Sequence, residues 1–122
     1  MTDLIEPARC HLWTKSPLRD EDLKSSLEKV KTYEDESHLK RALYRCRDCG
    51  QLYLFEFYEE VDWQGGDDPQ WSAWIPVTGV EQADEFSKLA PGTLGGLPGI
   101  HVDFPRDADK PTEPYRIEKK KG

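Results

Sequence analysis

The sequence predicts an α+β fold: an antiparallel sheet of three to four strands, two helices against one face, and a cysteine-bearing turn at one end. Three observations predict it. Eight of the thirteen aromatic residues fall between Tyr44 and Trp74, in runs that alternate as strands do. Two other stretches carry apolar residues at helical spacing. Between two strand-like runs stands Cys46-Arg47-Asp48-Cys49-Gly50, a tight turn with a thiol at either side.

Length and composition frame this fold. The 122 residues suit a single domain, 1–122, which at this size buries roughly two thirds of its unfolded surface. With 36% hydrophobic and 34% charged residues, the chain is polar, while its aromatic content argues against global disorder. No apolar run approaches the ~20 residues of a membrane helix, so no membrane partner is expected. The opening Met1-Thr2-Asp3-Leu4-Ile5-Glu6-Pro7 carries acids where a signal peptide carries bases, and the expected compartment is the cytoplasm. Three cysteines cannot all pair, which favours free thiols or a metal over a disulfide framework.

In chain order, Cys10-His11-Leu12-Trp13 is the only dense patch of the first fifteen residues. Ser16-Pro17 can open a helix, and Asp20-Glu21-Asp22 place negative charge at its N-terminus. Leu23, Leu27 and Val30 continue it as one apolar stripe, and Thr32 to Ser37 reads as a loop. Leu39 to Cys46 reads as a strand, and Gln51 to Trp63 as its partner across the cysteine turn. On the second strand Tyr53, Phe55, Phe57, Val61 and Trp63 share one face, expected to be buried. Glu56, Glu60 and Asp62 share the other, expected to be exposed. Gln70 to Val77 is a third strand, which Pro76 ends or places at an edge. Thr78-Gly79-Val80-Glu81 matches a capping box that opens a second helix, with Ala83, Phe86 and Leu89 as its stripe and Pro91-Gly92 as its stop. Ile100 to Phe104 is a short strand.

The cysteine turn carries the chemistry. Thiolates two residues apart can face one tetrahedral ion when the backbone between them curls, and the following glycine lets the chain turn back. Strand, Cys46-x-x-Cys49-Gly50, strand resembles one half of a zinc ribbon, so the turn is zinc-knuckle-like, over about ten residues. A ribbon has a second such pair. Here Cys10 stands alone, and a mixed site of Cys10, Cys46, Cys49 and one histidine would complete the set. His38 lies eight residues before Cys46 on an extended strand, about 26 Å away. His11 can reach in if the chain turns at Cys10, and His101 has no fixed place. The expected metal ligands are therefore Cys10, His11, Cys46 and Cys49, with a structural zinc as cofactor. Inert thiols are the competing reading. A redox pair is the third, although a reactive Cys-x-x-Cys usually opens a helix and here precedes a strand.

The net charge of −7 is unevenly placed. Residues 1–50 balance, residues 88–122 carry +2, and residues 51–87 carry nine acids and no base. Such a segment repels phosphates, so nucleic acid is not an expected partner. Carboxylates interleaved with aromatics suit a basic protein partner, through Glu56, Tyr58, Glu60, Asp62, Asp67 and Asp68. In size, charge and general character the chain is similar to the small acidic bacterial immunity proteins. That resemblance implies a protein-binding inhibitor of a basic toxin-like partner. The competing class is a small metal- or carboxylate-dependent hydrolase: Glu60 and Asp62 share a strand face about 6.6 Å apart, within the range of two-carboxylate chemistry. No catalytic residue is assigned.

Overall fold

The computed structural model describes Pro7 and residues 9–59, 69–105 and 110–117. These residues form one open antiparallel sheet whose six strands lie side by side in chain order. They are β1 (Leu27–Asp35), β2 (Leu39–Cys46), β3 (Leu52–Glu59), β4 (Gln70–Val77), β5 (Gly99–Phe104) and β6 (Tyr115–Ile117). The described helices are short: α1 (His11–Thr14), α2 (Asp20–Ser26) and α3 (Val80–Phe86), with a 3-10 turn at Thr93–Gly96. The protein is thus mostly β, and the expectation of a three- to four-stranded α+β sheet with two helices is corrected.

The first helix explains most of the difference. α2 starts at Asp20, beyond the expected opening at Ser16-Pro17, but its first turn is acidic as expected: the Asp22 carboxylate accepts the Arg19 backbone N–H at 2.9 Å, and Asp20, Glu21 and Asp22 fill the first turn. It stops at Ser26. Leu27 opens β1 and pairs with Cys46, and Val30 is half-exposed rather than part of a buried stripe. Val30, Thr32 and Tyr33 suit a pleated surface, and the β2 ladder is available to them. The segment 32–37 is accordingly mostly strand, not loop. β1 is an edge strand, broken by register shifts between Lys29 and Lys31 and between Thr32 and Glu34. Irregular, lysine-bearing edges resist pairing with other chains.

The hairpin of β2 and β3 forms around the cysteine turn as the sequence implies. Cys46 donates its N–H to Gln51 O at 2.8 Å, Gly50 donates to Cys46 O at 2.8 Å, and Gly50 adopts φ +82°. That left-handed conformation is strained for any residue with a Cβ. Pro76 sits in β4, an interior strand. Its neighbour on one side is Tyr53 of β3, while the β5 ladder stops at Trp74, so Pro76 lies where one flank has no ladder. The second helix is also shorter than expected. Its capping partner is Gln82, whose Oε1 accepts the Thr78 N–H at 2.8 Å, and Glu81 is exposed.

Two cores result, one on each face of the sheet. Leu43, Leu54, Ala73, Ile75 and Val77 pack under Ala83, Phe86 and Leu94. On the opposite face Cys46, Tyr53 and Ile100 pack under Cys10, Leu12, Leu18, Leu23 and Leu27, with Trp13, Tyr44 and Trp74 around them. Of the expected buried face of this strand, Val61 and Trp63 lie outside the described residues; near the cysteine turn Tyr53 is fully buried, as is Leu54 on the other face. Further out the expectation is reversed: Glu56 is fully buried, while Phe55 and Phe57 are half-buried. The reason is Arg41, the cross-strand neighbour of Glu56. Its Nε donates to Glu56 Oε2 at 2.8 Å, and its other nitrogens donate to the carbonyls of Ser87, Leu89 and Ala90. Gly92 N–H adds a bond to Glu56 Oε2 at 3.2 Å. A buried carboxylate is tolerable when paired and hydrogen-bonded in this way.

Candidate metal centre

The site forms where the N-terminal segment crosses the turn end of the sheet. Cys10 is the residue before α1, and its carbonyl accepts the N–H groups of Trp13 and Thr14 at 2.9 and 3.1 Å. This one-turn helix folds the chain back at Cys10, so adjacent residues can face the same point. Leu12, fully buried, anchors the helix in the core. Arg116 of β6 closes its other end by donating to Leu12 O at 3.2 and 3.1 Å and to Lys15 O. Cys46 is the last residue of β2, held by the hairpin.

Cys10, His11 and Cys46 each offer a ligand atom, and these atoms all lie within 4.8 Å of one another. Three such donors are close enough to hold a metal ion. His11 Nδ1 is 3.9 Å from Cys46 Sγ. Two ligands of a tetrahedral ion, at about 2.3 Å for sulfur and 2.05 Å for nitrogen, stand roughly 3.5 Å apart, so the group needs little closure. The orientation of His11 is fixed from behind: Nε2 is 2.9 Å from Ser26 Oγ, leaving Nδ1 toward the sulfurs. Metal-binding imidazoles are usually held through their second nitrogen in this way. Asp48 of the turn lies 3.4 Å from the same Nδ1.

Electrostatics at the site are those of buried sulfur. Burial pushes the Cys10 thiol up to about 12, with the nearby Cys46 and Cys49 thiols adding to the effect. The Tyr53 hydroxyl is also buried, and burial raises its pKa, as do the cysteines it faces. It lies against the Cys10 sulfur without the geometry of a full hydrogen bond, and so remains an unsatisfied buried donor. A metal-bound thiolate is the acceptor such a donor lacks.

The expected ligands therefore divide. Cys10, His11 and Cys46 come together, although His11 beside Cys10 had required an unusual turn. Cys49 is exposed and stands outside the group of ligand atoms that lie within 4.8 Å of one another. His38 is far from the turn in the pairing register, where its Nδ1 is 2.7 Å from Glu59 Oε1. His101 of β5 is buried and donates from Nε2 to Leu97 O at 2.8 Å. Tyr53 was read as core alone, and its register opposite Tyr44, two residues before Cys46, is the signal that could have placed it at the site.

The expected partner-binding residues fare differently. Glu56 is internal and is withdrawn from that set. Tyr58 is half-buried, with its ring 4.7 Å from that of Trp71. Glu60, Asp62, Asp67 and Asp68 lie outside the described residues, as does the carboxylate pair considered for hydrolysis. Of the other acids in this segment, Glu59 meets His38 and Gln70, and Asp84 meets Lys31 and Tyr33. No described helix is long and apolar enough to cross a membrane. Compared with known proteins, the chain matches no family model, no curated protein and no solved structure.

Proposed function

We propose that the chain is a small zinc-stapled binding module whose acidic segment engages a basic protein partner, in the manner of an immunity or antitoxin-type inhibitor. The observation that carries the metal half is the convergence of Cys10, His11 and Cys46 within 4.8 Å. A mixed sulfur and imidazole set suits zinc better than magnesium or calcium, which prefer oxygen. Cys49 supplies the fourth ligand from the turn. Four protein ligands leave no open coordination position, so the ion is structural. It ties the N-terminal segment to the β2–β3 hairpin across the sheet end. Such a site contributes on the order of 10 kcal/mol of apparent binding energy, comparable with the stability of a whole domain.

The partner half rests on charge. Residues 51–87 hold nine acids and no base, and four of these acids fall between Glu60 and Asp68, which joins β3 to β4. Steering by such a cluster gives fast association that slows with salt, because the Debye length falls from ~10 Å at 0.1 M to ~3 Å at 1 M. Replacing Glu60, Asp62, Asp67 and Asp68 together with neutral residues slows association with a partner recovered from the native cell more than it speeds dissociation. A partner whose association rate ignores both salt and this quadruple change contradicts the reading.

A further inference from the structure

The sheet face that carries Tyr53 holds a second feature, away from the cysteine turn. A cavity of about 330 Å³ opens there between α2 and strands β2, β3 and β4. That volume is at the small end for ligand sites and suits one compact molecule. Its walls are aromatic. Tyr44 and Phe55 stand with ring centroids 5.7 Å apart and planes at 85°. Trp74 lies 5.1 Å from Phe55 with planes at 44°. All three rings are half-buried, so the protein covers each only in part. Rings at such angles present π-electron density to a shared space from several directions, and a cation is attracted to it.

The charges lie at the mouth. Asp20 and Lys24 of α2 both line the cavity, and Lys24 Nζ is 2.9 Å from Asp20 Oδ2. The protein thus already seats an ammonium against this carboxylate, yet keeps it in water: the Lys24 side chain is 77% exposed. A bare ammonium is strongly hydrated and does not enter an apolar space. Methyl groups on the nitrogen remove its N–H donors and bring apolar surface to match the rings and Leu23.

We infer that this cavity binds a small quaternary ammonium compound of the choline class. The cationic head sits among Tyr44, Phe55 and Trp74, and Asp20 balances its charge once Lys24 swings into solvent. An exposed ion pair is worth little, so releasing Lys24 costs little. A free molecule can be enclosed whole in this volume, whereas a methylated lysine must trail its backbone across α2. The site depends neither on the metal nor on the basic partner.

The test titrates the full chain with choline by calorimetry, following the Trp74 indole N–H by NMR. It is repeated with the neutral isostere, in which a quaternary carbon replaces the nitrogen. Choline is expected to saturate one site per chain, and the isostere to bind at least about tenfold more weakly. Asp20→Asn weakens choline binding about two- to fivefold, and Lys24→Ala strengthens it by a similar factor, because a competing cation is removed. Trp74→Leu weakens it about tenfold or more. If that variant does not fold, the two exposed changes in α2 decide. Absence of saturable binding, or an isostere that binds as well as choline, would overturn the inference. So would weaker binding by Lys24→Ala, which would mean that the lysine and not the carboxylate holds the ligand. A trimethyl-lysine peptide that binds about tenfold more tightly than choline would overturn the assignment to a free small molecule.

Discussion

His11 Nδ1 stands 3.9 Å from Cys46 Sγ, although the two residues are 35 positions apart in the chain. The contact joins a one-turn helix to the end of an interior strand. It depends on three separate devices: the backbone turn at Cys10, the Ser26 hydroxyl behind the imidazole, and the hairpin that ends β2 at Cys46. Cys10 and Cys46 belong to the same buried cluster as Tyr53.

Tyr53→Phe removes a hydroxyl that is buried beside Cys10 without a satisfactory partner. In the metal-free chain the loss costs little stability, because no hydrogen bond is broken. In the loaded chain the hydroxyl donates to the Cys10 thiolate, and its removal weakens metal binding by about 10–100-fold. Competition titration against a chelator, together with the thiolate charge-transfer band of the cobalt-substituted protein, measures both. Unchanged affinity and an unchanged band would show that Tyr53 serves only the core.

Glu56→Ala leaves the Arg41 guanidinium buried without its carboxylate, a loss of about 3–5 kcal/mol in urea unfolding. The double change Arg41→Met with Glu56→Leu recovers part of this. It does not recover all, because Arg41 also donates to the carbonyls of Ser87, Leu89 and Ala90. A Glu56→Ala effect below ~0.5 kcal/mol, typical of a surface site, would mean that the pair is not internal in solution.

This pair shows how much of the fold was legible. The turn at Cys46–Gly50 sets the pairing register of β2 with β3, and counting back from it places Arg41 opposite Glu56. The information was present, but alternation along β3 alone assigned Glu56 to solvent, since period-two patterning says which residues share a face and not which face is covered. The strands around the cysteine turn, β4 and β5 were readable from their own composition. β1 was not: Leu23, Leu27 and Val30 fit a helical stripe, and only the ladder with β2 decides for a strand. β6 has three residues, too few to show a period. At the site, the Cys-x-x-Cys-Gly spacing was legible from chemistry. Cys10 and His11 were candidates by residue type alone; their approach to Cys46 depends on long-range packing that spacing does not fix.

His101 supplies a pH dependence away from the metal. Burial holds its pKa below the ordinary 6.5, so in the window beneath that value the unfolded chain binds more protons than the folded one. Its contribution to stability is complete above about pH 6.5 and declines as pH falls toward the depressed value. The melting temperature of His101→Gln should therefore fall less steeply between pH 7 and pH 5 than that of the unaltered protein. Parallel curves would mean that His101 titrates freely in the folded state.

The metal content of the chain purified without added chelator is the most direct test of the account. The prediction is one zinc ion per chain, lost together with a large part of the thermal stability when Cys46 is changed to serine. A chain that carries no metal, binds none on addition of zinc, and melts unchanged as Cys46→Ser would contradict it.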